Sequence, residues 1–266
     1  MRKNDVGGSS APEPVDKNFV ASLQKGMEVL TCFGRQHNRL TVSEVARLTG
    51  GSPASARRSL LTLRALGYLD SDGKRFWLLP KVLLVAHAYL ASRPTPSLAQ
   101  PLLDALSERT RESASLGTLL EDDAIIIARS TARRSLSIGL GIGSRLPAYC
   151  SALGRVLLAS LPSGEAERRV RAMPRRALTP RTVFEADAVL ALVDRCRDEG
   201  YAGSDGELEL GVRSMAVPVL DRDGATVAGM SIAVRSERME LIEFRDAFLP
   251  TLRKASAKLT ARLYPG

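Results

Sequence analysis

The segment 41–66 constrains the fold more than any other, because it carries two helix starts and one helix stop in close succession. Thr41 opens TVSEVARLTG, and Glu44 follows three residues on. That is the capping-box spacing, in which each side chain satisfies an amide of the first turn. Gly50-Gly51 stops this helix, because glycine accepts the left-handed conformation that helix ends favour. Ser52-Pro53 opens the next, PASARRSLLTLRALG. A serine hydroxyl caps an N-terminus, and proline fits the first helical position. Val42, Val45 and Leu48 on the first helix, and Ala56, Leu60 and Leu63 on the second, recur at the spacing of an inward face. A preceding stretch, FVASLQKGMEVLTCF at 19–33, places Val20, Leu23, Met27, Leu30 and Phe33 at helical spacing as well. Two helices joined by a tight glycine turn, the second exposing serines and arginines, follow the order of a helix-turn-helix.

The second of those helices has the chemistry to enter a major groove. Ala54, Ser55 and Ala56 are small and permit close approach. Arg57 and Arg58 can reach guanine edges or phosphates. Ser52 and Ser55 suit phosphate oxygens at a helix N-terminus. Thr41, Ser43 and Thr62 complete the candidate contacts from the two helices. GYLDSDGKRFWLLP then reads as strand, turn, strand. A hairpin here is a wing, with Lys74 and Arg75 at its tip, aimed at a flanking minor groove or phosphates. Trp77 is expected to close the wing against the helices.

Charge agrees with this reading. Residues 17–79 hold ten Lys/Arg against four acids, a net of +6 in 63 residues, whereas the other 203 carry 28 against 25. Basic excess confined to one segment is the footprint of a polyanion-binding module. Aromatics make up only 5% of the chain, which disfavours single-strand binding by stacked bases. Cys32, Cys150 and Cys196 are far apart and odd in number, so no disulfide framework is expected. Neither His37 nor His87 sits at ligand spacing from other donors, so no metal and no cofactor are expected. No apolar run reaches the roughly 20 residues of a membrane span. Residues 1–16 are polar and rich in Gly, Ser and Pro, so they read as a disordered tail rather than a signal peptide. The expected location is the cytoplasm, with no membrane partner.

From Pro80 a helical pattern, KVLLVAHAYLAS, is apolar on several sides and needs a partner. It reads as a linker helix, 80–94, that packs across a dimer. Domain boundaries are placed accordingly: tail 1–16, winged helix-turn-helix 17–79, linker 80–94 and a second domain 95–266. That domain reads as a helix over 97–112, strands over 113–121, 123–131 and 135–142, then helices near 150–161, 163–172 and 186–199. Strands over 201–209, 213–221 and 226–234 come next, and a last helix over 241–263 that Pro250 starts or kinks. The class is α+β: an antiparallel sheet with flanking helices.

Enzyme readings of this domain fail on their motifs. Gly139, Gly141 and Gly143 are not a GxGxxG fingerprint and open no helix. Ser151 in CSALG is not on a GxSxG elbow, and no histidine lies in its domain. Ser151 instead starts the helix of YCSALGRVLLAS. Free amides at such a start attract a carboxylate, and the small residues Ser151, Ala152 and Gly154 leave it room. Two functions remain open on this basis: a ligand-controlled DNA-binding regulator, and a small-molecule-binding or catalytic domain whose basic N-terminus serves another polyanion. An electrophoretic shift with the chain's own upstream DNA separates them.

The segments SLQKGMEVLTCF, LTVSEVARLTG, ARRSLLTLRALGYL, RLPAYCSALGRVLLAS and GSDGELELGVRSMAVPVLDRDG, in this order and spacing, resemble the IclR family of bacterial transcription regulators over nearly the whole chain. The wording of ARRSLLTL, RRSLSIGLGIGSRLPAYCSALGRVLL and ELELGVRSMAVPV is similar to a subgroup that controls catabolism of protocatechuate, 4-hydroxybenzoate and β-ketoadipate. The resemblance implies a GAF-like effector domain, dimers or tetramers, double-stranded operator DNA as partner, RNA polymerase as a further partner if the protein activates, and a small aromatic or dicarboxylic acid as effector. It maps effector contacts to the start of the Ser151 helix, to Ser204, Asp205 and Ser214, and to Ser231. Some relatives carry cysteine at the position of Ser214 and serine at that of Ala233, so this chain has fewer or weaker donors there. Arg134 and Arg145 are added because a carboxylate suits a guanidinium fork.

Overall fold

The computed structural model describes residues 18–34, 37–131 and 140–265. The chain divides into two compact units, 1–87 and 88–266. The first contains α1 (Ala21–Thr31), α2 (Val42–Thr49), α3 (Pro53–Ala65) and an antiparallel hairpin of β1 (Leu69–Ser71) and β2 (Phe76–Leu78). A short 3-10 turn, Pro80–Val82, leads into α4 (Leu83–Ser92). The capping box forms: the Thr41 amide donates to Glu44 Oε2 at 2.7 Å, and the Glu44 amide donates to Thr41 Oγ1 at 3.3 Å. Gly50 ends α2 at φ 65°, in the left-handed region. Ser52 Oγ accepts from the Ser55 amide at 3.2 Å to start α3, with Pro53 at its first position.

The core of this unit is Val29, Leu40, Val45, Ala46, Ala56, Leu60, Leu63, Leu69 and Phe76. Three sequence expectations need correction. On α2, Leu48 is exposed, and Ala46 is buried beside Val45. On α1 the buried residue is Val29, whereas Val20, Leu23 and Met27 are exposed. On the wing, Phe76 rather than Trp77 closes against the helices. Strand alternation explains the last point: Phe76 and Leu78 share the inner face, opposite Ser71 and Leu69, so Trp77 between them lies on the outer face opposite Asp70. α4 is apolar, yet none of its residues is buried.

The second unit contains α5 (Pro94–Thr110), β3 (Ser113–Leu120), β4 (Asp123–Ser130), β5 (Arg145–Pro147), α6 (Ala152–Ala159), α7 (Ser163–Ala172) and α8 (Ala186–Glu199). β6 (Ala202–Asp205), β7 (Val212–Leu220), β8 (Thr226–Arg235) and α9 (Leu241–Leu263) complete it. Among the described residues the strands form one sheet in the order β5-β4-β3-β8-β7-β6, every pair antiparallel. This is the expected α+β architecture. α5 and α9 cover one face through Leu103, Leu116, Met230, Ile232, Leu252 and Leu259. α6 and α8 cover the other through Ala124, Ile126, Leu153, Leu157, Cys196 and Ala216. Alternation along the strands separates these faces, except at the bulge opposite Leu116 and Gly117, where the consecutive residues Ile127 and Ala128 both join the first core.

Of the strand expected over 135–142, residues 135–139 lie outside the described residues; the strand beside β4 is β5, farther along. α9 continues across Pro250 as one helix. The β7–β8 turn is tied by Asp221 Oδ1, which accepts from the amides of Asp223 and Ala225 at 3.0 and 2.8 Å.

Candidate functional site

On the first unit, Ser43, Ser52, Ala54, Arg57, Arg58 and Thr62 are exposed and Ser55 is half-buried. Arg57 and Arg58 form no ion pair among the described residues, so their guanidinium groups face water. Thr41 differs from the other candidates. Its hydroxyl is 2.8 Å from Glu44 Oε2 and is committed to the cap. The hydrogen bonds from the Thr41 amide and hydroxyl hold the Glu44 carboxyl below the usual carboxylate range. At the wing tip, Asp72 Oδ1 accepts from the amides of Lys74 and Arg75 at 3.0 and 2.7 Å, and Gly73 takes φ 94°. This fixes the turn and leaves Lys74 and Arg75 exposed.

On the second unit, register brings several candidates together. Ser204 pairs with Ser214, Ser214 with Ala233, Ala216 with Ser231, and Ser231 with Ser115. Cross-strand partners share a face, so Ser115, Ser204, Ser214 and Ser231 line the side on which α6 packs. Ser204 Oγ donates to the Cys150 carbonyl at 3.1 Å, which ties β6 to the turn before α6. Ser151 caps α6. Its Oγ accepts from the Gly154 amide at 3.1 Å and donates to the Pro147 carbonyl at 2.8 Å.

Gly154 does not leave room for a ligand. A Cβ at that position would lie 2.2 Å from Ala148 Cα, so the glycine lets α6 approach the preceding backbone. Asp205 lies on the opposite face from Ser204, where it accepts from Arg213 Nε at 2.7 Å and Arg181 Nη1 at 2.9 Å. Arg145 is exposed on β5 and paired with Asp123 and Glu121 at 2.6 and 2.8 Å. Arg134 lies outside the described residues. A cavity of about 320 Å³ runs along β6 and is lined by Ser204, Asp205 and Ser214 together with Tyr201, Phe244 and Arg245. Ser151, Ala152, Gly154, Ser231 and Arg145 are not among its walls.

The sequence reading missed two arginines of this domain. Arg129 is half-buried on the α6 face and donates from Nη1 to Ser115 Oγ at 2.6 Å. Burial pushes its guanidinium pKa down from the ordinary value. Arg155 is buried within α6 and forms a bidentate pair with Glu207. A lone arginine in the apolar run ALGRVLLA was the available signal, since a buried charge requires a partner. Burial raises Cys150 and Cys196 to about 11, so neither is a thiolate near neutral pH. Among the described residues no cluster of His, Cys, Asp and Glu is arranged to hold a metal, and no helix is long and apolar enough to cross a membrane.

Comparison with known proteins decides what this pair of units is. Residues 22–73 match the IclR helix-turn-helix domain, and residues 87–261 match the C-terminal domain of the bacterial transcriptional regulator IclR. The chain belongs to the IclR family. It is 38% identical over 250 residues to the Pca regulon regulatory protein of Pseudomonas putida, covering 94% of this chain and 86% of that one. It is 34% identical over 255 residues to the p-hydroxybenzoate hydroxylase transcriptional activator of Acinetobacter baylyi, covering 94% of each. A solved structure of a double mutant of the PobR inducer-binding domain from Acinetobacter, in complex with 3-hydroxybenzoic acid, aligns with 31% identity and a TM-score of 0.59. That alignment covers 62% of this chain and 97% of the other. This IclR-family chain is thus a DNA-binding transcription regulator with an effector domain, not an enzyme. Its similarities fall in the branch that includes regulators of aromatic-acid catabolism.

Proposed function

We propose that residues 17–79 bind operator DNA through α3 and the wing, and that an aromatic acid or a β-ketoadipate-pathway acid seated in the 95–266 domain controls that binding through the linker helix, 80–94. The observation that carries the effector reading is the serine-lined face beneath α6. Ser115, Ser204, Ser214 and Ser231 share it with the half-buried Arg129, and the Ser204 bond to the Cys150 carbonyl draws β6 to the start of α6. A carboxylate there meets a helix N-terminus and a guanidinium in a site screened from water, where charge-assisted bonds are strongest. The complex of the double-mutant PobR inducer-binding domain with 3-hydroxybenzoic acid supports an aromatic acid as the class. Control requires the effector to favour one arrangement of the protein over another, since equal affinity for both would shift nothing.

Self-association belongs to the same reading. Leu83, Leu84 and Val85 of α4 are 57–63% exposed, an apolar surface suited to a second copy in a dimer or tetramer. A two-fold dimer reads two half-sites about one helical turn, or a multiple of it, apart. Light scattering that finds only monomer, with and without DNA, overturns this part. DNA as partner supports a cytoplasmic location, and RNA polymerase is a further partner in this reading if the protein activates. The central test is a thermal-shift screen of hydroxybenzoates, protocatechuate and β-ketoadipate. A true effector at about 100 times its Kd adds roughly 2.7 kcal/mol of stability. It must also change the protein's affinity for its upstream DNA; a ligand that stabilises without that effect is not the effector.

A further inference from the structure

The wing has a third strand-like edge that the hairpin pattern alone does not reveal. Leu40 and Phe76 form an antiparallel bridge, with amide-to-carbonyl distances of 3.0 and 2.8 Å in the two directions. Both side chains are buried. The neighbours Arg39 and Trp77 therefore fall opposite each other on the outer face of the wing. There the Arg39 guanidinium lies 4.4 Å from the centroid of the Trp77 ring. Its side chain stays 55% exposed. Stacking on an indole restricts a long side chain to one region of space while leaving its charge and its donor fork available. Arg75 adds to the arrangement by donating from Nη1 to the Arg39 carbonyl at 3.4 Å, so Arg39, Lys74 and Arg75 gather at one end of the wing.

Acids nearby compete only weakly for this cation. Asp72 Oδ2 is 4.0 Å from Arg39 Nη1, while Asp72 Oδ1 is occupied by the turn amides. Asp70, opposite Trp77, lies 3.9 Å from Arg64 instead. Long, exposed pairs of this kind contribute little and are screened by salt.

We propose that Arg39 is a phosphate contact of the DNA-binding unit, on the duplex backbone flanking the bases reached by α3, and that Trp77 is its positioning residue rather than a base-stacker. This rests on the reading of the first unit as the DNA-binding one. Phosphate contacts fix register and add affinity without reading sequence. Each one neutralised also steepens the dependence of binding on salt by about 0.9 in log–log slope.

The test uses the full chain and two duplexes of equal length, one carrying its upstream operator and one of scrambled sequence, titrated over a range of salt. Arg39→Gln is expected to weaken both duplexes by a similar factor, about 3- to 10-fold, and to flatten the salt slope by about one phosphate. Arg39→Lys should keep most of the slope. Trp77→Ala should weaken binding with the charge still present, and Trp77→Phe should fall between Trp77→Ala and the parent. Melting curves accompany each variant. If Trp77→Ala melts early, Trp77→Phe decides, because it keeps a ring in place but offers a weaker cation-binding face. Arg57→Ala is the control. If it weakens operator binding while Arg39→Gln changes neither affinity nor slope, the Arg39 contact is overturned and the DNA reading stands. If Arg39→Gln behaves as expected but both Trp77 variants match the parent, the positioning role is overturned. If neither Arg57→Ala nor Arg39→Gln has an effect, the assignment of this face to DNA is itself wrong.

Discussion

Arg155 and Glu207, 52 residues apart, meet in the interior of the C-terminal domain through two parallel hydrogen bonds of 2.7 and 2.5 Å. Their side chains are only 2% and 9% exposed. Further hydrogen bonds anchor both partners. Arg155 Nε donates to the Tyr149 carbonyl at 3.1 Å and Nη1 to the Gly203 carbonyl at 2.9 Å. Glu207 Oε2 accepts from the Val183 amide at 3.1 Å. The pair therefore holds α6, the end of β6 and the segment before α8 against one another, and those elements carry Ser151 and Ser204.

Breaking the pair one-sidedly is expected to be severe. Glu207→Gln keeps the shape but leaves a buried guanidinium without its counter-charge, a loss of about 3–5 kcal/mol. Urea unfolding of the C-terminal domain, followed by circular dichroism, measures it. A loss under about 1 kcal/mol means that water reaches the pair and that it is not a buried ion pair in solution.

For DNA, Arg57→Ala and Arg58→Ala are each expected to lower specific operator affinity by about 1–3 kcal/mol where the lost contact is to a base. Both side chains are exposed near the start of α3. Electrophoretic shift or fluorescence anisotropy at fixed salt checks this. Operator affinity unchanged in both variants identifies another element as the reader.

The N-terminal unit was readable because its signals are local. Thr41–Glu44, Gly50 and Ser52–Pro53 act through hydrogen bonds and backbone preferences within a few residues, and each appears where the spacing puts it. Most strands of the C-terminal domain were readable as strand-like runs, though β5 was not, and Ser204, Ser214 and Ser231, which the family resemblance singles out, do share a face. What escaped depends on long-range pairing. Trp77 was misplaced because the inner face of a three-residue strand is set by Leu40, far back in the chain, rather than by side-chain size. Gly154 reads from sequence as space for a ligand, but only the path of the backbone at Ala148 reveals that the space is filled. Asp205 was grouped with its neighbour Ser204, although alternation alone separates their faces, and its partners Arg181 and Arg213 come from other segments.

The two buried thiols of the C-terminal domain should be inert. With Cys150 and Cys196 raised to about 11 by burial, the thiolate fraction at pH 8 is about one in a thousand, and both side chains are buried. Iodoacetamide at pH 8 should leave both unmodified in the native protein and label them once urea unfolds it, as mass spectrometry will show. Rapid native labelling of either residue indicates that the domain opens locally.

The α2 cap ties stability to acid. The Glu44 carboxyl is held below its ordinary pKa by Thr41, so its contribution is present above the unfolded value, about 4.3, and is lost as pH falls through the lower folded value. Thr41→Ala should cost about 1 kcal/mol near neutral pH. The gap between parent and variant should narrow as pH falls below the unfolded value and through the lower folded one, where Glu44 becomes protonated in the parent as well. Trp77, the single tryptophan of the chain, reports unfolding of this unit by fluorescence. A gap that stays constant down to pH 3 removes the Glu44 half of the cap from the account.

Effector sensing gives the most direct test of the C-terminal site. Ser151 is 3% exposed and caps α6, and Ala152 beside it is also buried. A larger apolar side chain at Ser151 would occupy the space proposed for the carboxylate, and it would remove the hydroxyl that tethers the helix start to Pro147. Ser151→Leu should therefore lose the effector-induced rise in melting temperature and the effector-induced change in operator affinity. DNA binding without effector should be retained, because α3 and the wing belong to the other unit. Loss of the cap alone lowers stability by about 1 kcal/mol, so Ser151→Ala serves as the control. It lacks the cap but adds no bulk, and it should keep most of the effector response. Titration calorimetry with the effector found in the screen separates the two variants. If Ser151→Leu binds that effector as tightly as the parent, the carboxylate does not sit at the start of α6. The cavity along β6, walled by Ser204, Asp205, Ser214 and Arg245, then becomes the place to look, with Ser214→Leu as the corresponding variant.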